Sequence, residues 1–372
     1  MSVARGREVF LVTGADLSDG APGGSRTYVV GLARSLAADG VRPTLLTNGP
    51  AAGPLPGIQV VSVGKARRPS SVGYLWDLLW WSRSHRLPPG TIVHAQRPDD
   101  LVPLLLTQTG VRPVCTLHGD ARRGVKRRNG VLASLIHGVL ERYALRRSCA
   151  VIAVDDRTAE RYRRRSPGVA RALSVIPPAV DREVFRPGDR EAAREALGLG
   201  SGPVVLFVGR LSAEKRVSEI VRAMDDRRLR GATLLIVGDG PEEAQLRRLA
   251  ADRRVRFLGR RPARDVAACI NAADVLALPS EYEGLPTAAL EALACGRPVV
   301  AMKGTGLDDV IVPMVTGLLV DSIESFPEGL AEVLAAAPGM REDCVKAAAR
   351  FSWERVGRDV REVYDRIGGV AA

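Results

Sequence analysis

Strand-like apolar runs alternate with amphipathic helical stretches along the whole chain. Most of these runs are continuous in Val, Ile and Leu, and they are bounded by Gly, Pro or Asp. Such runs are typical of parallel strands covered on both faces, whereas half-exposed strands alternate apolar and polar residues. The pattern predicts strands at residues 9–13, 43–46, 58–63, 92–95, 113–117, 150–154, 204–208, 233–237, 255–258, 274–278 and 298–301.

A loop-like stretch near the middle divides this pattern in two. Within residues 179–202, Gly, Pro and Asp lie on both sides of one short helical stretch, and a new strand follows. The length of 372 residues also fits two domains. We therefore predict two doubly wound, Rossmann-like α/β domains facing each other across a cleft. Their expected bounds are 1–180 and 203–350, with a linker at 181–202 and a C-terminal helix at 353–372 that packs back on the first domain.

Composition excludes several classes of protein. With 46% hydrophobic and 26% charged residues the chain is globular, and it holds no run of about 18 apolar residues that would span a membrane. The first ten residues do not resemble a signal peptide, so we expect a cytoplasmic protein. The five cysteines lie far apart without a CxxC pair, which argues against a disulfide framework or structural zinc: Cys115, Cys149, Cys269, Cys295 and Cys344.

The net charge of +12 is concentrated in the first half. Residues 1–186 hold 28 Lys and Arg against 14 Asp and Glu, a net +14, and the remainder has a net −2. A one-sided positive field attracts nucleic acid, anionic lipid or anionic small substrates.

Two cations follow the first strand of the second half. Gly209 lets the backbone turn closely after this strand, Arg210 stands at its end, and Lys215 leads into the next helix. Both cations could reach one anion, and a diphosphate has a suitable size. The alternative is an ordinary loop with two solvated cations.

Two carboxylates flank the start of a later predicted helix. Pro286 suits the first helical position, Glu283 lies in the loop just before it, and Glu291 lies in the second turn. The free N–H groups at the start of this helix would attract an anion, so that Gly284, Leu285 and Pro286 would lie against the donor, while the carboxylates could accept hydrogen bonds from sugar hydroxyls. Alternatively, both are solvated helix acids.

These motifs, in this order and spacing, resemble the retaining GT-B glycosyltransferases of glycosyltransferase family 4. The resemblance rests on the Gly209–Lys215 run, the Gly-Asp-Gly-Pro turn at 238–241, the Phe-Leu-Gly turn at 257–259 and the two glutamates eight residues apart. It implies that the second domain binds a nucleoside diphosphate sugar without a required metal. In particular, it implies that Arg210 and Lys215 hold the diphosphate, Glu291 the ribose and Glu283 the transferred sugar.

The first half matches the family more loosely. Gly23 and Gly24 follow the first strand and open a helix, which would allow close approach of donor or acceptor. His118 stands at the end of a strand before a Gly-Asp turn and resembles the histidine of the family near the reacting face of the sugar. A plain hydrogen-bonding histidine is the alternative.

Three positions depart from the pattern of the family. Pro178-Ala179 stands where the family often has Asn-Gly, Leu285-Pro286 replaces a group that often contains glycine, and Asp309 replaces the more usual Glu. Pro286 cannot donate an N–H, but none of the departures removes a charged group from the predicted site.

A basic stretch flanks the apolar residues 131–140. A cationic rim around an apolar helix is typical of an interfacial membrane contact, and the aromatic residues at 74–81 are a second candidate. The alternative is a core-packed helix with a solvated basic face. Nucleic-acid binding is disfavoured because no binding motif appears. The predicted acceptor or membrane residues are Asp120, Arg122, Arg123, Lys126, Arg127 and Arg128.

We therefore expect a retaining hexosyltransferase that uses a nucleoside diphosphate sugar, with UDP-sugars favoured by the resemblance. Its acceptor would be a hydroxyl of a membrane lipid, a lipid-linked glycan or a soluble aglycone, and the enzyme could be peripheral at the membrane. We expect no cofactor and no metal. The alternatives are a sugar-nucleotide epimerase of the same architecture and a non-catalytic nucleotide-sugar binder. The predicted catalytic residues are His118, Glu283, Arg210 and Lys215.

Overall fold

The structure, a computed structural model, describes residues 8–15, 17, 24–49, 53–64, 71–251 and 254–368, leaving aside the side chains of residues 25, 71, 123, 124, 127–129 and 167. The chain forms two compact units, residues 1–178 with 353–372 and residues 179–352. Each unit contains one sheet, and all strand pairings of the described residues are parallel. Two doubly wound α/β units confirm the predicted fold class.

The sheet of the first unit has the strand order β3-β2-β1-β4-β5-β6-β7. Its strands are β1 (Glu8–Thr13), β2 (Arg42–Thr47), β3 (Gln59–Ser62), β4 (Ile92–Ala95), β5 (Arg112–Leu117), β6 (Ala150–Ala153) and β7 (Leu173–Val175). Its helices are α1 (Gly24–Ala38), α2 (Ser71–Ser84), α3 (Pro98–Thr107), α4 (Ala121–Arg147), α5 (Asp156–Arg165) and α12 (Trp353–Gly368), with a 3₁₀ turn at Pro167–Ala172.

The sheet of the second unit has the order β10-β9-β8-β11-β12-β13. Its strands are β8 (Val204–Val208), β9 (Thr233–Val237), β10 (Val255–Gly259), β11 (Val275–Leu278), β12 (Val299–Met302) and β13 (Gly317–Val320). Its helices are α6 (Arg190–Ala196), α7 (Val217–Ala223), α8 (Glu243–Leu249), α9 (Ala263–Ala272), α10 (Thr287–Ala294) and α11 (Phe326–Ala348), with 3₁₀ turns at Ala213–Lys215 and Arg227–Leu229. This unit includes residues 181–202, which the sequence suggested as a linker.

Two strands, β7 and β13, have no counterpart in the sequence prediction. Both lie at the edge of a sheet and are short, with three and four residues. The two central residues of β13 are half-buried, as is all of β7. Ser174 interrupts β7, and β13 offers only three apolar side chains after Gly317, so neither gives the longer apolar run by which the buried strands were found.

The C-terminal helix α12 packs in the first unit against α1. The Ser35 hydroxyl donates to the Trp353 carbonyl oxygen at 2.7 Å. Gly31 of α1 lies against the Trp353 ring, where a Cβ would stand only 2.1 Å from the nearest ring atom. In addition, the Tyr364 hydroxyl contacts Nδ1 of the buried His94 at 2.7 Å. These contacts join the end of the chain to its first domain.

Among the described residues, no helix is both long and apolar enough to cross a membrane.

Candidate active site

The candidate site of the second unit lies where the direction of strand connection reverses. Strand β8 connects onward to β9 on one side of the sheet, and its other neighbour β11 connects to β12 on the opposite side. In doubly wound sheets, ligands bind at the carboxyl ends of the two strands that flank such a switch point. The loops that follow β8 and β11 begin at Gly209 and Pro279, respectively.

Glycines bring the backbone at this edge into close contact. A Cβ on Gly238, whose φ is +134°, would stand 1.9 Å from the Gly209 carbonyl oxygen. The Gly209 N–H donates to the Val237 carbonyl oxygen at 3.0 Å, and the Leu211 N–H donates to that of Asp239 at 2.8 Å. These bonds fix the β8 loop that carries both predicted cations.

A backbone hydrogen bond joins the β8 loop to the β11 loop. The Glu281 N–H donates to the Glu214 carbonyl oxygen at 2.9 Å. The β11 loop is further confined at Gly306, where a Cβ would stand 2.6 Å from the Gly284 carbonyl oxygen and 2.7 Å from the Leu285 nitrogen. The structure therefore brings the two motifs found in the sequence into one site.

Lys215 and Glu283 meet in this site. The Lys215 Nζ lies 2.6 Å from Glu283 Oε2, and both side chains are largely buried, with exposures of 23% and 12%. The Ser280 hydroxyl donates to the other carboxylate oxygen of Glu283. Arg210, by contrast, is exposed in the same loop. One cation is therefore held by a carboxylate, while the second is turned to solvent.

Glu291 lies in the second turn of α10, where it is half-buried. Burial raises the pKa of its carboxyl to about 7. Among the described residues, no hydrogen bond or ion pair compensates this burial. Pro286 takes the N-cap position of α10, one residue before the helical position expected from the sequence, with an extended ψ of 124°. The ring of Pro286 fixes φ but leaves ψ free, so this residue can be extended and precede the helix.

In the first unit, His118 directly follows β5. Its Nε2 lies 3.0 Å from Gln96 Oε1, and its ring makes an edge contact with Tyr28 of α1 at 4.8 Å between centroids. Burial lowers the pKa of His118 to about 4, so the imidazole is neutral at physiological pH. Gly24 begins α1, whereas Gly23 lies outside the described residues.

The sequence interpretation missed a buried polar group after β4. Asp100 and Gln96 are 2% and 1% exposed, and Oδ2 of the former and Nε2 of the latter have no hydrogen-bond partner among the described residues. Burial raises the pKa of Asp100 to about 7. The β1/β4 pair is the switch point of the first sheet. Gln96 directly follows the buried strand β4 and Asp100 lies in the first turn of α3, and polar residues in this position after a strand were the signal that could have identified them.

The predicted basic residues lie on α4, which bends sharply at Gly130, with φ 83° and ψ −179°. Arg122 is half-buried, and its guanidinium carbon lies 2.7 Å from where a Gly138 Cβ would stand. Lys126 is exposed. Asp120 is buried and forms ion pairs with Arg161 and Arg165 at 3.8 and 3.3 Å, so it is not part of an exposed surface. The side chains of Arg123, Arg127 and Arg128 lie outside the described part of the chain.

The apolar face of α4 is exposed. Its side chains are 54% to 73% exposed and recur at helical spacing: Val131, Leu132, Leu135, Ile136 and Val139. The alternative of a core-packed apolar face is therefore wrong for these residues. On the neighbouring helices, Leu106 of α3 and both Trp76 and Trp80 of α2 are also about 60% exposed. The buried Tyr74 belongs instead to the core.

Fold and site together define a class of protein. Two doubly wound parallel sheets in one chain, with cations and carboxylates at the switch point of the second, are the arrangement of a GT-B transferase. Two family models match most of the chain: "Glycosyltransferase Family 4" at residues 22–184 and "Glycosyl transferases group 1" at residues 189–351. The chain belongs to the group 1, family 4 glycosyltransferases, which confirms the resemblance.

Similar proteins agree with this placement. D-inositol 3-phosphate glycosyltransferase from Segniliparus rotundus is 40% identical over 198 residues, which cover 49% of this chain and 44% of that protein. The chain thus spans about half the length of the curated relatives it matches. Sucrose-phosphate synthase from Thermosynechococcus elongatus has the same fold, with a TM-score of 0.82, 24% identity and coverage of 98% and 100% of the two chains. HepE from Anabaena, solved with UDP-glucose, gives a TM-score of 0.74 at 20% identity, covering 95% of this chain and 98% of its own.

Proposed function

We propose that this protein transfers a hexosyl group from a nucleoside diphosphate sugar to a hydroxyl acceptor, with retention of the anomeric configuration. The observation that carries the proposal is the joining of the β8 and β11 loops, which places Lys215 2.6 Å from Glu283 at the switch point. A diphosphate leaving group gains negative charge as the glycosidic bond breaks, and fixed cations stabilise that charge. Arg210 and Lys215 are the cations for this role.

The carboxylates of the same site suit sugar hydroxyls. Glu283 is already oriented by Ser280 and Lys215, so it can accept a hydrogen bond from the transferred sugar without losing further side-chain freedom. Glu291 is the candidate partner of the ribose. Because the two cations supply the counter-charge, we propose that donor binding needs no metal. UDP-sugars are the favoured donors, by the family and by the UDP-glucose in the HepE structure.

The acceptor is proposed to bind at the β1/β4 switch point of the first unit. Asp100 and Gln96 present buried polar atoms there, and neutral His118 lies beside them through Gln96. Such groups suit an acceptor rich in hydroxyls. The curated relatives are named for D-inositol 3-phosphate, a phosphorylated polyol. This supports a polyol or sugar acceptor, either free or as the head group of a lipid.

Incubation of the purified protein with a panel of nucleoside diphosphate sugars and polyol acceptors tests the proposal. We expect a glycoside whose anomeric proton coupling matches that of the donor. An epimerised sugar nucleotide would instead establish the epimerase, and donor binding without any turnover would establish a non-catalytic binder. An inverted glycoside would refute retention while leaving transfer in place.

We also propose that the first unit docks on an anionic membrane through α4. Its exposed apolar face continues, one and two turns further along the helix, into the exposed Arg142 and Arg146. An apolar face bordered by cations matches the lipid interface, where apolar side chains enter and basic residues meet anionic head groups. Each basic residue near such a surface contributes about 1 kcal/mol. The acceptor would then be presented at the membrane.

Vesicle sedimentation tests this docking. The protein should bind vesicles that contain phosphatidylglycerol, and binding should weaken as salt rises because the attraction is screened over about 8 Å at 0.15 M ionic strength. Ile136→Ser should reduce binding severalfold. The matched control is Val312→Ser, which alters an equally exposed apolar residue of the second unit, at 52% against 54%. Absence of binding even at low salt, or equal binding by both variants, would leave a soluble acceptor as the better interpretation.

A further inference from the structure

The imidazole of His118 contacts side chains from two other elements of the first unit. Its Nε2 lies 3.0 Å from Oε1 of Gln96, which directly follows β4. Its ring also makes an edge contact with the ring of Tyr28 in α1, with 4.8 Å between the centroids and 82° between the planes. Because an amide oxygen only accepts hydrogen bonds, Nε2 carries the hydrogen of the neutral ring, and Nδ1 is its acceptor. One contact sets the tautomer, and the two together set the orientation of the ring.

Tyr28 also contacts helix α12. Its ring meets that of Trp353, the first residue of α12, with 5.9 Å between the centroids and 63° between the planes. Tyr28 is 1% exposed, so its ring is enclosed by packed neighbours. The three rings of His118, Tyr28 and Trp353 therefore form one series of contacts.

Trp353 is itself closely packed. Its ring lies against Gly31 of α1, and its carbonyl oxygen accepts from the Ser35 hydroxyl at 2.7 Å. Gly357, one turn further along α12, lies against the same serine, where a Cβ would stand 2.0 Å from Ser35 Oγ. Glycines on both helices allow this close approach, so α12 fixes where Trp353 lies relative to α1.

Helix α12 also contacts the strand that leads into His118. The hydroxyl of Tyr364 in α12 lies 2.7 Å from Nδ1 of His94, and Nε2 of His94 lies 2.7 Å from Oγ1 of Thr116. His94 and Thr116 are fully buried, and Tyr364 is 1% exposed. Thr116 stands two residues before His118, so α12 supports both the backbone before this histidine and, through Tyr28, its ring.

A half-buried imidazole can turn about its side-chain bonds unless its neighbours hold it. Correct orientation matters in a transferase, because misplacing a reacting group by about 1 Å can cost about a hundredfold in rate. We propose that Tyr28 and Trp353 are positioning residues, which hold the imidazole of His118 in the orientation that bonds Gln96 and keeps Nδ1 as the acceptor for a substrate hydroxyl. The inference rests on the proposed function, in which His118 lies beside the acceptor.

Imidazole ¹⁵N spectra of the full chain test the positioning without requiring activity. The chain has four histidines, and His118→Gln assigns the signals of His118. In the wild type we expect the Nε2–H tautomer and cross-relaxation between the ring protons of His118 and Tyr28. Tyr28→Leu should shift these signals and mix the tautomers, whereas Tyr28→Phe keeps the aromatic ring and should keep the tautomer. Trp353→Leu should cause a smaller change in the same direction.

Transfer kinetics test the consequence for the reaction. Tyr28→Leu should lower kcat at least about tenfold, and Tyr28→Phe should restore most of it, because the ring and not the hydroxyl contacts His118. The KM of the donor should change by less than about threefold, since the proposed donor site lies in the second unit. The matched control is Tyr162→Leu, because Tyr162 of α5 is also 1% exposed in the core of the first unit. It should leave the His118 signals and kcat intact.

The positioning role is overturned if Tyr28→Leu leaves the His118 signals unchanged, or if Tyr28→Leu and Tyr162→Leu lower kcat equally. If Tyr28→Leu does not fold, the wild-type cross-relaxation and the Trp353→Leu spectrum decide instead, and absence of the first or no change in the second overturns the proposal. A wild-type protein that transfers no sugar would overturn the proposed function, while the spectra would still decide whether Tyr28 and Trp353 orient His118.

Discussion

Glu291 is predicted to contact the ribose, and its charged carboxylate is unfavourably buried. The substitution Glu291→Gln should affect stability and ligand binding in opposite directions, so it tests both statements. Burial raises the pKa of the carboxyl from the ordinary 4.5 to about 7 in the folded protein. Between these values the folded state holds the proton more tightly than the unfolded state. The free energy of unfolding therefore falls as pH rises from about 4.5 to about 7, and does not fall further above that range.

The size of this loss follows from the shift. A difference of about 2.5 pKa units corresponds to about 3 kcal/mol at 1.36 kcal/mol per unit. Glutamine has a similar shape and no charge, so the variant should escape the loss. We expect Glu291→Gln to be about 3 kcal/mol more stable than wild type at pH 8, and within about 1 kcal/mol of it at pH 5.

Denaturant unfolding at both pH values measures the difference. All four tryptophans belong to the first unit, so their fluorescence reports that unit alone, whereas far-UV circular dichroism reports both. The matched control is Glu281→Gln, since Glu281 is exposed in the same region. Equal stability of wild type and Glu291→Gln at pH 8 would refute the burial argument.

The same substitution should weaken binding of the proposed donor. A charged acceptor hydrogen-bonds a ribose hydroxyl more strongly than an amide oxygen does, by about 1.5 kcal/mol, which corresponds to roughly tenfold in Kd. Calorimetric titration of UDP at pH 8 measures this loss. If the variant is more stable but binds UDP as tightly as wild type, Glu291 does not contact the ribose. The conclusion that its charged form is unfavourably buried would still hold.

Further outcomes concern the proposed diphosphate site and its backbone. Arg210→Ala and Lys215→Ala should each cost about 2 to 4 kcal/mol in kcat/KM, far more than Glu281→Ala; small, equal effects on steady-state turnover would contradict the assignment. Donor binding and turnover should persist in excess chelator, and their loss would establish a metal requirement. Gly238→Ala should destabilise the second unit by about 3 kcal/mol or more, because its Cβ would stand 1.9 Å from a carbonyl oxygen at φ +134°. Gly339→Ala, in helix α11 with open space around it, should be neutral or stabilising in the same thermal unfolding assay.

The sequence was sufficient for the central strands because their burial on both faces leaves a continuous apolar run. It failed at the short edge strand β13, where Gly317 opens the strand and only three apolar side chains follow. The α4 face shows a different ambiguity. Residues 131–140 are apolar in either setting, so only the structure decides between a core contact and exposure.

The β8 and β11 loops could be predicted individually, but their pairing could not. Arg210 and Lys215 follow β8, and Glu283 follows β11. Between the end of β8 and the start of β11 lie 66 residues, and the sheet topology is needed to know that these strands are neighbours. The sequence motifs also suggested that Lys215 and Glu283 contact different parts of the donor. It carries no direct signal for the 2.6 Å ion pair between them.

That ion pair changes how the proposed donor would be recognised. Lys215 is not a free, solvated cation, because it forms an ion pair with Glu283, and Glu283 in turn accepts a hydrogen bond from the Ser280 hydroxyl. A diphosphate that approaches Lys215 must share it with a carboxylate, which weakens ground-state binding but leaves the ammonium oriented. As charge grows on the departing diphosphate, its attraction to Lys215 increases while that of Glu283 stays constant. Such an arrangement favours the transition state over the bound substrate, and this difference is what raises turnover.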